Sequence, residues 1–504
     1  MRKIAVGILV LFIISCKPNP KDFDTIIRNG MIYDGSGGEP YKADIGIKGD
    51  TIAFIGDLAK SSAINDVDAK GMTVSPGFID THSHHAGVLF EQRDLPAAVS
   101  QGITTIISGQ DGSSNFPLSK FYKELADTPV AVNIASYSGH NTLRDSVMGK
   151  DFKRYASPAE IEKMKALLRQ DMEAGALGFS TGLEYDPGIY SNKDEVLQLA
   201  RELQAFKGRY ISHIRSEDRF FWDAILEVIT IGKEAKIPVQ VSHIKLAMHN
   251  LWGKADSLIA ILDEARKNGI DITSDIYPYT FWHSTIRVLF PDRKFSDENE
   301  AEMILKEITL PEDIILSAYE IQPEYEGKNL AAIAKLENKP PARMLVELIA
   351  RIEDWEKKNK RGCEEGIMAT SMNETDIKKL MQWPHTNICS DGSSSGTHPR
   401  GYGAFTRMLG KYIREKKVLS LQEAIYKMTG LAAQHVGISQ RGLLKQGYFA
   451  DIVLFDPATV KDESTIAEPH KISTGIEKVW VNGMIVFENK KTTGQYPGKI
   501  IRRQ

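Results

Sequence analysis

The sequence predicts an α/β protein: a (β/α)8 barrel beside a small β-sandwich built from both chain ends. Three observations predict it. Helical and strand-like segments alternate in units of roughly thirty residues through the middle of the chain, the pattern of parallel βα packing. Several of the strands end in His or Asp. Short β-like runs separated by Gly and Asp crowd the two ends.

The alternation is explicit. Ser157-Pro158-Ala159-Glu160 has the form of a capping box with Pro at the first helical position. Ile161, Met164, Leu167, Leu168 and Met172 follow at helical spacing, Gly175 stops the helix, and 176–181 reads as a strand. Helices near 194–206, 221–235 and 256–268 each precede a strand, near 209–214, 237–244 and 270–277. Further strands near 77–84, 103–109, 129–136 and 386–391 complete a set of eight, the number a barrel needs. An open doubly wound sheet is the alternative, but no Gly-rich phosphate loop follows an early strand. The barrel is expected over 74–436, and the β-sandwich over 23–73 plus 437–504. The charged segment 284–345 is expected to interrupt the barrel as an insertion over its mouth.

With 504 residues, 42% hydrophobic content and a formal charge of -3, the composition is that of a globular enzyme and excludes a typical basic nucleic-acid binder. Three cysteines make no disulfide framework. At the N-terminus, Arg2 and Lys3 precede an apolar run over 4–14, too short to span a bilayer as a typical helix. Ile13-Ile14-Ser15-Cys16 resembles a bacterial lipobox, which implies a signal peptide over 1–15, lipid on Cys16 and a tether over 16–22. The expected location is outside the cytoplasm, anchored to a membrane by that lipid alone and facing the periplasm.

Candidate ligands sit at strand ends. In Pro76-Gly77-Phe78-Ile79-Asp80-Thr81-His82-Ser83-His84 an apolar strand ends in His-x-His. On one strand face the two imidazoles would lie roughly 6–7 Å apart, close enough to hold one divalent metal. His213, His243 and Asp391 end three later strands, so all five residues are expected at one C-terminal mouth. Cys389 reads as a small core residue.

Together with Ser138-Gly139-His140-Asn141-Thr142-Leu143-Arg144, Gly175-Ala176-Leu177-Gly178-Phe179-Ser180-Thr181-Gly182-Leu183, Asp275-Ile276-Tyr277-Pro278-Tyr279, Ser390-Asp391-Gly392, His398-Pro399-Arg400 and Ala450-Asp451-Ile452-Val453, these residues resemble the amidohydrolase superfamily, and within it the D-aminoacylase (N-acyl-D-amino-acid deacylase) family. The resemblance implies one or two zinc ions and hydrolysis of the amide of an N-acyl-D-amino acid. It places His82, His84, His213, His243 and Asp391 on the metal, and makes Asp391 the general base and then acid. It also implies that Lys245, Arg400 and Tyr277 or Tyr279 bind the substrate carboxylate. Family members often carry a cysteine ligand after the second strand, where this chain has Gln110-Asp111-Gly112. Glu184 is therefore expected to bridge the metal site, with Asp111 as the second candidate. His140 is left without a role. A dipeptidase or a cyclic amidase of the dihydroorotase or hydantoinase kind is the alternative reading, although such enzymes usually show a bridging lysine that is absent here.

Overall fold

The computed structural model describes residues 21–503, so the signal peptide, the tether up to Pro20 and Cys16 lie outside the described residues. Strands β1 (Phe23–Ile32), β2 (Tyr41–Lys48), β3 (Thr51–Gly56), β4 (Ala63–Asp68) and β5 (Thr73–Pro76) come first. There follow β6 (Phe78–Asp80), β7 (Ile103–Ser108), β8 (Asn133–Ser136) and β9 (Ser138–Gly139). Next are helix α1 (Pro158–Ala174), β10 (Gly178–Gly182), α2 (Lys193–Glu202), β11 (Arg209–His213), α3 (Phe221–Ala235), β12 (Val239–Val241), α4 (Ala255–Lys267) and β13 (Ile272–Ile276). An inserted unit holds β14 (Phe281–Ser284), α5 (Glu298–Glu307), β15 (Ile314–Tyr319), α6 (Leu330–Leu336), α7 (Pro341–Asn359) and β16 (Glu365–Thr370). The chain then forms β17 (Thr386–Ile388), α8 (Gly430–Val436), β18 (Ile452–Phe455), β19 (Ile476–Val481) and β20 (Met484–Glu488).

β6, β7 and β8 pair in parallel, and β9, β10, β11, β12, β13 and β17 pair in that order, also in parallel. β8 and β9 are two pieces of one run separated by Tyr137. A parallel bridge between Ser83 and Gly392 brings the ends of the first and last strands together. These strands are buried along nearly their whole length, which is why they read as apolar or small-residue runs without alternation. The helices cover them with one apolar stripe each; α3 buries Ala224, Ile225, Val228 and Ile231. α1 begins with both halves of the capping box, Ser157 with Glu160, and ends at Gly175, whose φ of 104° suits a residue without a Cβ.

Three expectations need correction. The two chain ends do combine, but into one continuous nine-stranded sheet, its ninth strand the short pair Lys491–Thr492 beside β20, rather than the two sheets of a sandwich, because β1 pairs with β4 through its first half and with β5 through its second. The final residues leave that sheet, and Ile500 bridges to Ile134 beside β8. The insertion is neither irregular nor confined to 284–345: it runs from β14 to β16, and β16 lies between β14 and β15, antiparallel to both. The strand β16 is cut off from its partners by the charged helix α7, so local periodicity hides the pairing. Asp451 joins the terminal sheet to the parallel strands by accepting hydrogen bonds from Asn133 Nδ2 (3.1 Å) and the Asn482 amide (2.8 Å). Among the described residues no helix is long and apolar enough to cross a membrane.

Candidate active site

The C-terminal ends of the parallel strands and the inserted unit enclose a cavity of about 500 Å³. His84, Asp111, Glu184, His213, His243, Lys245, Tyr277, Asp391 and Arg400 all line it, with His82 buried directly beneath. Three of these residues adopt a left-handed backbone: Asp111 (φ 52°), His243 (φ 35°) and Asp391 (φ 48°). Such strain persists only where the surroundings impose it, and it gathers at functional sites. His82 and His84 lie just past β6 rather than within it. Backbone hydrogen bonds from Asp391 N to His82 O (2.8 Å) and from His84 N to Gly392 O (2.9 Å) tie that segment to the end of β17, with the two rings 5.4 Å apart.

Asp111 stands between two histidine pairs. Its Oδ2 lies 3.3 Å from His82 Nε2 and 3.4 Å from His84 Nε2, and its Oδ1 lies 3.4 Å from His243 Nε2. His213 Nδ1 is 3.0 Å from that same His243 nitrogen. Asp391 Oδ1 approaches His82 Nε2 at 3.5 Å and His84 Nε2 at 3.2 Å. Two donor groups result, His82–His84–Asp111–Asp391 and Asp111–His213–His243, with Asp111 in both.

Glu184 does not occupy the bridging position expected of it. Its Oε2 lies 3.0 Å from His213 Nε2, the ring nitrogen opposite the one that faces His243, and its Oε1 accepts from the Glu217 amide at 3.2 Å. Glu184, His213 and Glu217 form a third grouping on that outer side. Glu217 is not among the residues the sequence singles out. Its Oε1 sits 3.2 Å from His243 Nδ1 and accepts from Lys245 Nζ at 2.6 Å. Each histidine of the second pair thus has a carboxylate near its outer nitrogen, which orients the ring and aims the inner nitrogen; Lys245 Nζ also lies 2.6 Å from His243 Nδ1. Its place four residues after His213 is the one signal in the sequence that points to Glu217.

The electrostatics favour a cation. Burial opposes charge on His82, yet Asp111 and Asp391 overcome it and hold its proton affinity well above that of an ordinary imidazole. His243 is raised to about 9: burial and Lys245 oppose this, and Asp111 and Glu217 outweigh them. Burial alone would raise Asp391, but the Arg400 guanidinium and His82 keep its carboxyl well below the usual range. Asp111 Oδ1 and His82 Nδ1 are buried without a hydrogen-bond partner. Imidazole nitrogens and carboxylate oxygens converging around uncommitted lone pairs suit a divalent metal such as zinc.

A cationic clamp adjoins this cluster. Arg400 donates to Asp391 Oδ2 at 2.7 Å and lies 4.7 Å above the Tyr277 ring, and Lys245 Nζ lies 5.8 Å from the centre of the same ring. The Tyr277 hydroxyl is buried and unpartnered. Tyr279, the other candidate, does not line the cavity. A tight turn through Pro278, closed by Tyr279 N to Tyr277 O (3.1 Å), swings its ring against Arg407. His140 is buried away from the cavity and bonds Glu195 at 2.9 Å, whose carboxylate also takes Arg144. Cys389 is buried beside Asp275, as a core residue.

The model of the Amidohydrolase family matches residues 66–309 and 326–487. The chain belongs to the amidohydrolase family. The unmatched stretch of this amidohydrolase, 310–325, falls within the inserted unit around β15. It is 34% identical to the D-aminoacylase of Alcaligenes xylosoxydans xylosoxydans over 95% of this chain and 98% of that one. It is 35% identical to the N-acyl-D-glutamate deacylase of the same organism, over 95% and 96%. The crystal structure of the N-acyl-D-glutamate deacylase of Bordetella bronchiseptica, complexed with zinc and a phosphonate inhibitor that mimics the tetrahedral intermediate, superposes with a TM-score of 0.84 at 32% identity. It covers 95% of this chain and 99% of that one.

Proposed function

We propose that this amidohydrolase is a zinc-dependent N-acyl-D-amino-acid deacylase, releasing a D-amino acid and a carboxylic acid. The observation that carries the reading is Asp111 shared between two histidine pairs, directly beside the Lys245–Arg400–Tyr277 clamp. In this reading His82, His84, Asp111 and Asp391 hold one ion, and Asp111, His213 and His243 hold another. A bound zinc supplies Lewis acidity toward a carbonyl and lowers the pKa of a water it binds to near neutrality. Glu184 and Glu217 aim His213 and His243 from outside. Arg400 and Lys245 bind the substrate carboxylate, and Tyr277 supplies a hydroxyl to it. Asp391 takes the proton of the attacking water at its carboxylate and returns it to the amide nitrogen, since an amine leaves only when protonated. His82 and Arg400 flank that carboxylate and keep it ionised until the transfer.

The architecture assigned to this chemistry is a closed (β/α)8 barrel over 74–436, its mouth partly walled by the insertion, with 23–73 and 437–504 forming the small β-domain. The parallel pairings and the Ser83–Gly392 bridge support closure. Export with lipid on Cys16 belongs to the same proposal. Labelling with a radioactive fatty acid tests it, and loss of label in Cys16→Ser is the expected result; label retained in the variant would sink it.

The activity test is amine release by the zinc-loaded protein from paired N-acetyl-D- and N-acetyl-L-amino acids. Turnover of D-substrates alone is expected. No turnover of either, with zinc bound, would transfer the reading to a dipeptide or a cyclic amide.

A further inference from the structure

The relatives at comparable identity act on different amino acids, so resemblance does not choose the substrate; the charges in the cavity do. We infer that this chain accepts substrates with a single carboxylate and a neutral, apolar remainder, and discriminates against N-acylated D-aspartate and D-glutamate. The inference rests on the deacylase reading and narrows it.

Two cations line the cavity, Lys245 and Arg400. They do not offer two sites. Both heads lie beside the one Tyr277 ring, at 5.8 and 4.7 Å from its centre, so they serve a single neighbourhood of the cavity. Each is already tied to a carboxylate of the protein, Lys245 to Glu217 at 2.6 Å and Arg400 to Asp391 at 2.7 Å. Such a clamp suits one carboxylate, held bidentately by the guanidinium with the ammonium beside it.

A second carboxylate finds nothing comparable. The inserted unit lines the cavity mainly with apolar side chains, Trp282, Val288, Leu289 and Ile308, and with the uncharged hydroxyl of Ser284. Another carries Glu184, Asp186 and Asp218, which repel an anion. His283 also lines the cavity, but burial and Arg400 push it down to about 4, so it is neutral. The nearby arginines are engaged elsewhere. Arg219 pairs with Asp292 at 2.7 Å, Arg287 with Glu356 at 2.7 Å, and Arg293 donates to the Phe290 carbonyl at 3.0 Å while facing Asp186. A buried anion without a partner is disfavoured strongly, whereas the same wall gains from burying a Leu, Met or Phe side chain.

The test compares the zinc-loaded full protein on N-acetyl-D-leucine and N-acetyl-D-methionine with its action on N-acetyl-D-aspartate and N-acetyl-D-glutamate. A kcat/KM lower by about 100-fold or more for the two diacids is expected. Diacids turned over within about tenfold of the neutral substrates would overturn the inference, since the wall would then be tolerating an unpaired charge. Binding is read separately, by calorimetry on the zinc-loaded Asp391→Asn protein. Tighter binding of N-acetyl-D-leucine supports the inference, and equal or tighter binding of N-acetyl-D-glutamate overturns it. If neither class is turned over by the native protein, the deacylase reading fails, and the binding preference still decides the charge argument. Ile308→Lys, which puts a cation on the apolar wall, should raise the ratio of diacid to neutral kcat/KM by at least about tenfold. Val288→Arg, at a half-buried position, makes the same test if the first variant does not fold. An unchanged ratio in a folded variant would overturn the inference.

Discussion

His84 and His85 are adjacent in the chain, and the fold gives them opposite characters. The Asp111 and Asp391 carboxylates overcome burial and raise the proton affinity of His84. Burial and the nearby His84 push His85, bonded through Nδ1 to Ser394 at 2.8 Å, down to about 3. The division extends across the molecule. His82 and His243, in the cluster around Asp111, are raised; His140, His398 and His435, buried elsewhere, are lowered. Burial acts in the same direction on all of them; Asp111 with a second carboxylate outweighs it at His82 and His243, whereas at His140 the single Glu195 carboxylate, offset by Arg144 and Arg215, does not. A histidine that gathers positive charge inside a protein marks a place where the field is set for a cation, and a buried histidine whose acids do not outweigh burial is a piece of core.

The comparison predicts that Asp111 organises the cluster. Asp111→Ala should lose zinc from both donor groups, read as metal per chain by mass spectrometry after dialysis, and should cost more activity than the roughly 100-fold typical of a lost outer partner. Retention of two zinc ions per chain in the folded variant would show that the histidine pairs do not depend on their shared carboxylate. A circular dichroism spectrum matching the native protein separates this loss from unfolding.

The contrast between Asp111 and Glu184 also shows how far sequence alone reaches. The alternation of helices and strands from Ser157 to Tyr277 is legible because each parallel strand is a buried apolar run and each covering helix has one apolar stripe. The histidines and Asp391 are legible because they close such runs. The choice of the bridging acid is not, because it depends on backbone angles in turns: φ at Asp111 is 52°, which brings both carboxylate oxygens inward, and no local pattern encodes that. Tyr279 is misread for a related reason, since a single tight turn after Tyr277 carries its ring out of the cavity. β16 is hidden because its partners lie across the intervening helices. Glu184→Gln sharpens the distinction between inner and outer acids. It keeps an acceptor for His213 but removes the charge, and should weaken zinc binding by about 10- to 100-fold without lowering the stoichiometry at saturating metal. Loss of one equivalent even at saturation would instead restore Glu184 as a direct ligand.

The smallest expected effect lies at the other pole of the comparison. His435 is buried, its Nδ1 lies 2.7 Å from Asn387 Oδ1, and Asn387 commits its amide nitrogen to Thr81 Oγ1 at 2.6 Å; the His435 N–H therefore donates. Burial, with Arg209, His385 and Lys427 nearby, holds its pKa well below 6.5. The folded chain then keeps His435 neutral where the unfolded chain takes up a proton. Its contribution to stability is present above pH 6.5 and is lost as pH falls below it, by about 1.4 kcal/mol per pH unit. His435→Gln should cost about 1 kcal/mol at pH 7.5 through a weakened hydrogen bond. Between pH 6.5 and 5 the stability of the variant should fall less steeply than that of the native protein, by one proton. Urea denaturation of both proteins without metal, across that pH range, checks it: the metal cluster contributes equally to both curves, so their difference isolates His435. Parallel curves would mean that this histidine is charged in the fold, and that burial without carboxylates is not enough to keep a histidine neutral here.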